Sequence, residues 1–229
     1  MVAFRTSVTG GNNNTSATIT VPATCQVGDV FILHLSLNNT DNINSFPANL
    51  IQLDYNNFTS SGYPNYLYYG VVDGTNISAG TVLTWPLAAT RSWTINLYVA
   101  TGVNTTAPVR GIWTMGSLGT TVILNSGFPV STSWMLEIIS GKSNGTAITS
   151  WTAPVGWTVR STATANTTTF QGSSAIADYD AGLAPAGTYG GETYVPNSTP
   201  GAYISYIVAL NPDPVGGSSV TSPTSWVKA

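Results

Sequence analysis

Charged side chains are scarce in this chain of 229 residues. Only 7% of the residues are Asp, Glu, Lys or Arg, and six basic against nine acidic side chains give a formal net charge of −3. An ordinary soluble domain carries roughly 25% charged residues, so neutral polar side chains must keep this protein in solution. No cluster of Lys or Arg is available to follow a phosphate backbone, and we therefore expect no nucleic-acid partner.

Cysteine and long apolar runs are equally scarce. The single cysteine, Cys25, excludes an internal disulfide bond and a multi-cysteine metal site, so packing must supply the stability. Apolar runs such as Val30-Phe31-Ile32-Leu33 are far shorter than the roughly 18 to 20 residues that span a bilayer. No apolar segment of the secretory type follows Met1, so we expect neither a signal peptide nor membrane insertion.

Aromatic residues, in contrast, are abundant. The chain contains seven Trp, eleven Tyr and six Phe, and these rings need a packed interior. Disordered chains usually combine a high net charge with few aromatic residues, which is the opposite of this composition. The composition therefore indicates a folded protein.

Segments of strand length recur along the chain, with turn residues between them. Each segment is rich in Thr, Val, Ile and aromatic residues, and the Gly, Asn, Asp and Pro between segments favour tight turns. The predicted strands are residues 17–21, 30–37, 66–72, 81–85, 93–100, 120–124, 134–140, 157–161 and 203–210. No window of a dozen residues shows apolar residues at helical spacing. This pattern predicts an all-β protein.

An internal repeat of about 100 residues relates the two halves of the chain. Five pairs of segments match in the same order: 18–21 with 122–124, 30–33 with 133–136, 47–50 with 154–157, 79–81 with 186–188, and 98–100 with 207–209. The spacing within the pairs drifts by a few residues, as small loop insertions produce. The pseudo-repeats cover residues 15–104 and 118–214.

Two architectures are compatible with this repeat. Either each half forms a small sandwich of its own, or the halves contribute complementary strands to one larger sandwich with a pseudo-twofold axis between them. We favour the second, because the connection around residues 110–113 is apolar and aromatic, unlike most domain linkers. The expected fold is an antiparallel, jelly-roll-like β-sandwich over residues 1–212, followed by a Pro/Gly/Ser-rich tail at 213–229.

Few titratable residues are candidates for chemistry. His34 lies in the strand 30–37, and the repeat places Glu137 at the matching position, where the two would form either a functional site or a hydrogen-bonded pair. Asp178 and Asp180 would project to one side of an extended segment and could bind calcium, although no third acidic residue is near them in sequence. Cys25 has no basic neighbour closer in sequence than Arg5 and is expected to be inert. We therefore predict no catalytic, metal or cofactor site and no enzyme activity.

A group of tyrosines provides the candidate contact surface. Tyr63, Tyr66, Tyr68 and Tyr69 lie among asparagines, and Trp226 in the tail suggests either a docking point or a frayed terminus. Such a mixture suits a subunit interface, where Tyr provides contact area and a hydroxyl group, and it also suits stacking on sugar rings. We favour the interface.

Short motifs at the repeat positions resemble a known family. The motifs are Val21-Pro22, Val27-Gly28-Asp29 before the strand 30–37, Ala153-Pro154-Val155-Gly156-Trp157-Thr158, and the closing strand 204–212. In these motifs the chain, as far as about Pro212, resembles the all-β minor tail and virion-surface proteins of tailed bacteriophages, particularly those that infect actinobacteria. The first half departs from the pattern, with Pro47-Ala48-Asn49-Leu50 in place of a Pro-x-Gly-Trp sequence. The resemblance implies a non-catalytic protein of the virion, assembled in the host cytoplasm.

Two functions from different classes are therefore expected. The first is a structural virion protein, either a minor tail or appendage component or a capsid-decoration protein, which associates with further copies of itself and with other virion proteins. The alternative is an adhesin module that binds host cell-envelope glycan through exposed Tyr and Trp. The sequence leaves the head or tail location and the stoichiometry open.

Overall fold

The computed structural model describes residues 1–38, 43, 45–58, 62–117, 122–123, 128–130, 132–143, 145–166, 171–184, 187–189 and 193–213. Throughout these ranges every regular element is a β-strand, so the prediction of an all-β protein is confirmed. The described ranges contain no helix with the length and apolar character needed to span a membrane.

Fifteen strands follow one another along the described chain. They are β1 (Ala3–Thr20), β2 (Val30–Leu37), β3 (Ile51–Phe58), β4 (Tyr63–Val71), β5 (Val82–Thr101), β6 (Val109–Ser117), β7 (Val122–Ile123), β8 (Phe128–Val130), β9 (Ser133–Ser143), β10 (Trp151–Thr152), β11 (Trp157–Asn166), β12 (Gln171–Ala184), β13 (Gly187–Tyr189), β14 (Thr193–Pro196) and β15 (Ala202–Leu210). All the pairings between them are antiparallel, as the sequence predicted.

Two five-stranded sheets form the body of the protein. The first has the order β1-β5-β2-β4-β3, and the second has the order β11-β12-β9-β15-β6. Each sheet takes all its strands from one half of the chain. A small sheet, β10-β14-β7, and the pair β13-β8 complete the second half.

The two sheets pack face to face through one layer of buried side chains, which we call the central layer. Alternation along each strand decides which residues enter it: Val30 and Ile32 of β2 face Leu136 and Ile138 of β9 across the layer. The other buried apolar members are Val2, Leu67, Tyr98, Ala100, Val103, Val109, Trp134, Ile176, Ile204, Tyr206, Val208 and Leu210. The protein is therefore a β-sandwich in which each half supplies one complete sheet.

Each sheet also has a core on its outer face. In the first half, the pairing of β1 with β5 shifts its register between Asn14 and Ser16 and then continues. Beyond this shift, Ile19 of β1 and Trp85 of β5 pack on the β2 side chains that face away from the central layer. In the second half, Trp151 and Tyr194 on the short strands β10 and β14 cover the outer face of β9. Each half therefore has its own outer core in addition to its share of the central layer.

β1 and β11 approach each other closely at Gly11. A Cβ atom at Gly11 would lie 2.2 Å from the carbonyl oxygen of Thr164, and a backbone atom cannot rotate away. We expect Gly11→Ala to lower the free energy of unfolding by about 1–3 kcal/mol in urea denaturation. The matched control is Gly145→Ala, where the new Cβ meets no atom within 4 Å, and it should change stability by less than about 0.5 kcal/mol. Equal losses in the two variants would contradict the close approach.

Candidate functional site

A buried ionic cluster lies at one end of the central layer. The Asp178 carboxylate, which is 0% exposed, accepts a hydrogen bond of 2.7 Å from Arg160 Nε at Oδ1 and one of 2.7 Å from the Tyr98 hydroxyl at Oδ2. Trp134 Nε1 donates to the Tyr98 hydroxyl oxygen at 2.9 Å. We call these four residues the Asp178 cluster. Tyr98 belongs to the first half of the chain and the other three belong to the second, so the cluster joins the halves.

Local strand geometry places the Arg160 side chain in this cluster. The pairing of β11 with β12 is shifted between Val159 and Ser161, and Arg160 occupies the resulting bulge. Bulges redirect side chains and bend the strand. The Arg160 guanidinium also lies over the Phe4 ring, 5.0 Å from its centroid, so this cation contacts β1 as well as Asp178.

Burial controls the proton equilibria of the Asp178 cluster. It raises the pKa of Asp178, while the hydrogen bonds from Tyr98 and Arg160 act in the opposite direction. Burial and the neighbouring carboxylate also raise the pKa of Tyr98 well above its ordinary value. The Tyr98 hydroxyl is therefore a donor to the carboxylate at neutral pH. With both oxygens of Asp178 engaged, the cluster connects the two sheets.

Neutral polar side chains form a second connection between the sheets. Asn96 Nδ2 donates to the backbone oxygen of Ser174 at 2.8 Å and to its hydroxyl oxygen at 2.6 Å. The hydroxyl oxygens of Tyr63 and Ser140 are 2.5 Å apart, and those of Thr94 and Ser174 are 3.2 Å apart. Together with Ser36, which bonds to Thr94, these residues form what we call the hydroxyl seam. All of its members are buried.

His34 and Glu137 do not meet, so the predicted pair is wrong. His34 faces the central layer, where its Nε2 lies 3.0 Å from Asn65 Oδ1 and its ring centroid lies 5.7 Å from that of Tyr206. Glu137 faces the opposite way, into the outer core of the second half, and accepts a hydrogen bond of 2.6 Å from the Tyr194 hydroxyl. The sequence matched residues 30–33 with 133–136, but the strand registers make Leu136, not Met135, the counterpart of Ile32. Because neighbouring residues of a strand point to opposite faces, this error of one residue exchanged the two faces.

Burial also sets the state of His34 and Cys25. Burial lowers the pKa of His34 to about 4, so the ring is neutral at physiological pH. Cys25 lies in the outer core of the first half, and burial raises its pKa to about 11. The thiolate, which is the reactive form, is therefore rare at neutral pH.

Asp178 and Asp180 do not form an exposed pair. Asp178 is engaged in the central layer, whereas Asp180 is exposed at the surface. Within the described residues, no group of three or more His, Cys, Asp or Glu side chains is placed to hold a metal ion. The two carboxylates therefore lack the shared geometry that calcium coordination needs.

Three of the predicted contact tyrosines are buried, and the expectation that they form a surface is wrong. Tyr63 is 0% exposed and belongs to the hydroxyl seam, while Tyr66 and Tyr68 are 4% and 0% exposed in the outer core of the first half. The reason is that β4 lies between β2 and β3 and is covered on both faces. Tyr69 is partly exposed. Trp226 lies outside the described residues.

Tyr69 lines a shallow groove of about 350 Å³ beside the connection between the two halves. Ile51, Asn49, Thr105 and Thr106 also line this groove. With Val71 and Ile77, the groove offers one aromatic ring, three aliphatic side chains and several polar residues, a mixture that small-ligand sites also use. Among the predicted contact residues that the structure describes, Tyr69 alone reaches a groove.

Asp73 adds a carboxylate to this groove. Its Oδ1 accepts hydrogen bonds from the backbone N–H groups of Thr75, Asn76 and Ile77, and these bonds hold its pKa well below the ordinary range. The carboxylate is thus fixed in position and ionised at physiological pH.

The sequence interpretation missed the Asp178 cluster as a connection between the halves. One signal was available: Arg160 is one of only six basic residues and lies in a strand of neutral residues, where a cation requires a partner. Comparison of the chain with protein-family models, curated proteins and solved structures finds no match. Its function must therefore be inferred from its own contacts and motifs.

Proposed function

We propose that this chain is a structural protein of a tailed bacteriophage particle, a minor tail, appendage or capsid-decoration component that acts by self-association and by docking to other virion proteins. The observation that carries the proposal is the placement of three ionisable side chains that the sequence offered as candidates for chemistry. His34, Glu137 and Asp178 are all buried and bonded within the packing of the sheets. A catalytic site requires such groups where a substrate can reach them. In this chain they hold strands together, as suits a structural component.

The architecture supports the same function. Two sheets joined by a central layer, each with its own outer core, make a thick unit that presents a neutral polar surface. With so little charge, attraction to partners must come from contact area and from many copies acting together. The jelly-roll-like character and the two pseudo-repeats are part of this proposal. The motifs that resemble virion-surface proteins supply the assignment to a phage particle.

The test is immunolabelling of purified phage particles with antibodies against the folded protein, viewed by electron microscopy. We expect label at a fixed site on the head or the tail. Unlabelled particles, with the protein only in the soluble part of the same lysate, would contradict the virion assignment. Light scattering tests self-association separately, because it should give a mass of at least twice the 23.9 kDa of one chain.

The alternative, a glycan-binding adhesin, now depends on the groove at Tyr69. If this function is correct, the protein binds cell-envelope glycans on an array, and Tyr69→Ala weakens binding at least about fivefold, because an aromatic platform contributes about 1 kcal/mol or more. The matched control is Tyr179→Ala, which removes another partly exposed tyrosine outside the groove. Both variants are first shown to be folded by circular dichroism. Absence of binding, or equal losses in the two variants, excludes the adhesin.

A further inference from the structure

The two five-stranded sheets have the same strand order. Numbered within its own half, the first sheet reads first, fifth, second, fourth, third strand, as β1-β5-β2-β4-β3. The five main strands of the second half are β6, β9, β11, β12 and β15, and their spatial order is also first, fifth, second, fourth, third. Each half is therefore built on one plan.

Strand bulges occur at the same places in both halves. The pairing of β3 with β4 skips Leu53, and the pairing of β11 with β12 skips Arg160 at the equivalent point. The pairing of β1 with β5 skips Arg5, and that of β6 with β15 skips Arg110. Bulges are specific local features, so their coincidence fixes which residues correspond.

The same kinds of strand meet at both ends of the central layer, but the packing is much more extensive where β1 and β5 meet β11 and β12. Exchanging the halves converts a contact between β1 and β11 into one between β6 and β3. Both contacts exist: the Ser7 hydroxyl donates to the backbone oxygen of Arg160 at 2.9 Å, and the Thr114 hydroxyl donates to Asp54 Oδ2 at 2.6 Å. In the order of its strands this arrangement is that of an isologous dimer, with one side of the interface packed more closely than the other.

The strand registers show where the two ends of this layer differ. Ile32 pairs with Tyr69 and Tyr98 on its two sides, and its counterpart Leu136 pairs with Asp178 and Val208. Tyr98 therefore corresponds to Val208, and Asp178 corresponds to Tyr69. The bulges make Leu53 the counterpart of Arg160. The registers of β2 and β9 make Val30 the counterpart of Trp134.

The Asp178 cluster thus has an uncharged counterpart at the other end of the central layer, where the Asp54 carboxylate is bonded to Thr114 instead. The Asp178 cluster occupies the first end. Its counterpart at the second end consists of Val208, Tyr69, Leu53 and Val30, all of which belong to or pack against the apolar core of the layer. The interface is similar in plan at both ends but different in chemistry.

We propose that the central layer is a dimer-type interface enclosed within one chain, and that the Asp178 cluster makes this interface selective for two unlike halves. A pair of first halves would place each Tyr98 hydroxyl against Tyr69 and Leu53, without a carboxylate acceptor. A pair of second halves would place each Asp178 against Val208, without the Tyr98 donor. A buried polar group left without its partner disfavours a pairing, so the unlike pair is preferred.

The experiment uses the full chain with a protease site inserted between Thr105 and Thr106, which are exposed in the connection. The folded protein is cut, and the nicked product is examined by size-exclusion chromatography and native mass spectrometry. We expect the two fragments to remain together at micromolar concentration. Fragments that separate under native conditions would overturn the dimer-type interface.

Selectivity is measured by denaturing the nicked chain and refolding the mixture of fragments. Unlike pairs should exceed each kind of like pair at least tenfold. Like pairs in statistical amounts would overturn the selectivity. If the mixture does not refold, folded nicked samples with and without nitrogen-15 labelling are incubated together so that their fragments exchange partners. Every complex that contains one labelled and one unlabelled fragment should then consist of one first half and one second half.

A swap of the cluster tests the cause of selectivity. In the second half, Trp134→Val, Arg160→Leu and Asp178→Tyr together convert the ionic end to the chemistry of its counterpart. This variant should lower the ratio of unlike pairs to pairs of second halves at least tenfold. The matched control is Asp180→Ala, which removes an exposed carboxylate and should leave the ratio unchanged. An unchanged ratio in the triple variant would show that other residues decide the pairing.

Discussion

Asp178→Ala is expected to lower the free energy of unfolding by about 3 kcal/mol at pH 7. The substitution removes the acceptor of both Arg160 Nε and the Tyr98 hydroxyl, and it leaves a cation and a buried hydroxyl without their partner. Breaking a buried ion pair costs about 3–5 kcal/mol, and we place this pair at the lower end because the Arg160 side chain is 30% exposed. Urea denaturation followed by tryptophan fluorescence measures the loss.

The matched control for this prediction is Asp180→Ala, two residues further along the chain. Asp180 is exposed, and its removal should change stability by less than about 0.5 kcal/mol. If the two alanine variants lose the same stability, Asp178 does not connect the sheets in the way described.

The protein is also expected to lose stability as the pH is lowered from about 6.5 to about 4, because of His34. In the unfolded chain the ring takes up a proton near its ordinary pKa of 6.5, whereas in the folded protein burial lowers the pKa to about 4. The folded state thus binds fewer protons in this interval, so stability is complete above the interval and falls as protons are added. The loss attributable to His34 is about 3 kcal/mol, measured by urea denaturation at a series of pH values.

The control for the pH prediction is His34→Gln, which retains a hydrogen-bonding group toward Asn65 but does not titrate. Its stability should vary less with pH over the same interval. Asp178 acts with the opposite sign, since its raised pKa favours the folded state as the pH falls, but it is present in both proteins. Identical pH profiles for the two proteins would show that His34 is not buried in the central layer.

The sequence predicted the class of fold but not all of its strands. Thr, Val, Ile and aromatic residues identified β2 and most of β15. The sequence Gln171–Ala184 of β12 is rich in Ser, Ala and Gly, which have little intrinsic preference for strands. Its structure depends on pairing with β9 on one side and β11 on the other, which no local pattern reveals.

The repeat was detectable in the sequence, but its register was not. Every residue of β2 and nearly every residue of β9 is buried, because both faces of each strand are covered. The usual alternation of apolar and polar residues is therefore absent, and a slip of one residue leaves no trace in the pattern. For this reason the sequence paired His34 with Glu137, which face opposite cores.

Local sequence also failed to predict what surrounds the residues of the candidate site. Tyr66 and Tyr68 looked like surface residues because the segments that cover them, including Ile19 and Trp85, are distant in sequence. The partner of Asp178 is equally remote, since Tyr98 lies 80 residues earlier in the chain. Contacts between the halves follow from the packing of the two sheets, which local sequence does not specify.

The two sheets face one another through the layer that contains Thr94 and Ser174, whose hydroxyl oxygens are 3.2 Å apart. The most direct test replaces both residues, Thr94→Cys and Ser174→Cys, with Cys25→Ser, in the chain that carries the protease site at the connection. After oxidation and cleavage, we predict one cross-linked species under denaturing conditions and two fragments after reduction. The control pair is Thr94→Cys with Ser150→Cys, in which the second residue is exposed. Two separate fragments without reduction, as in the control, would contradict the account.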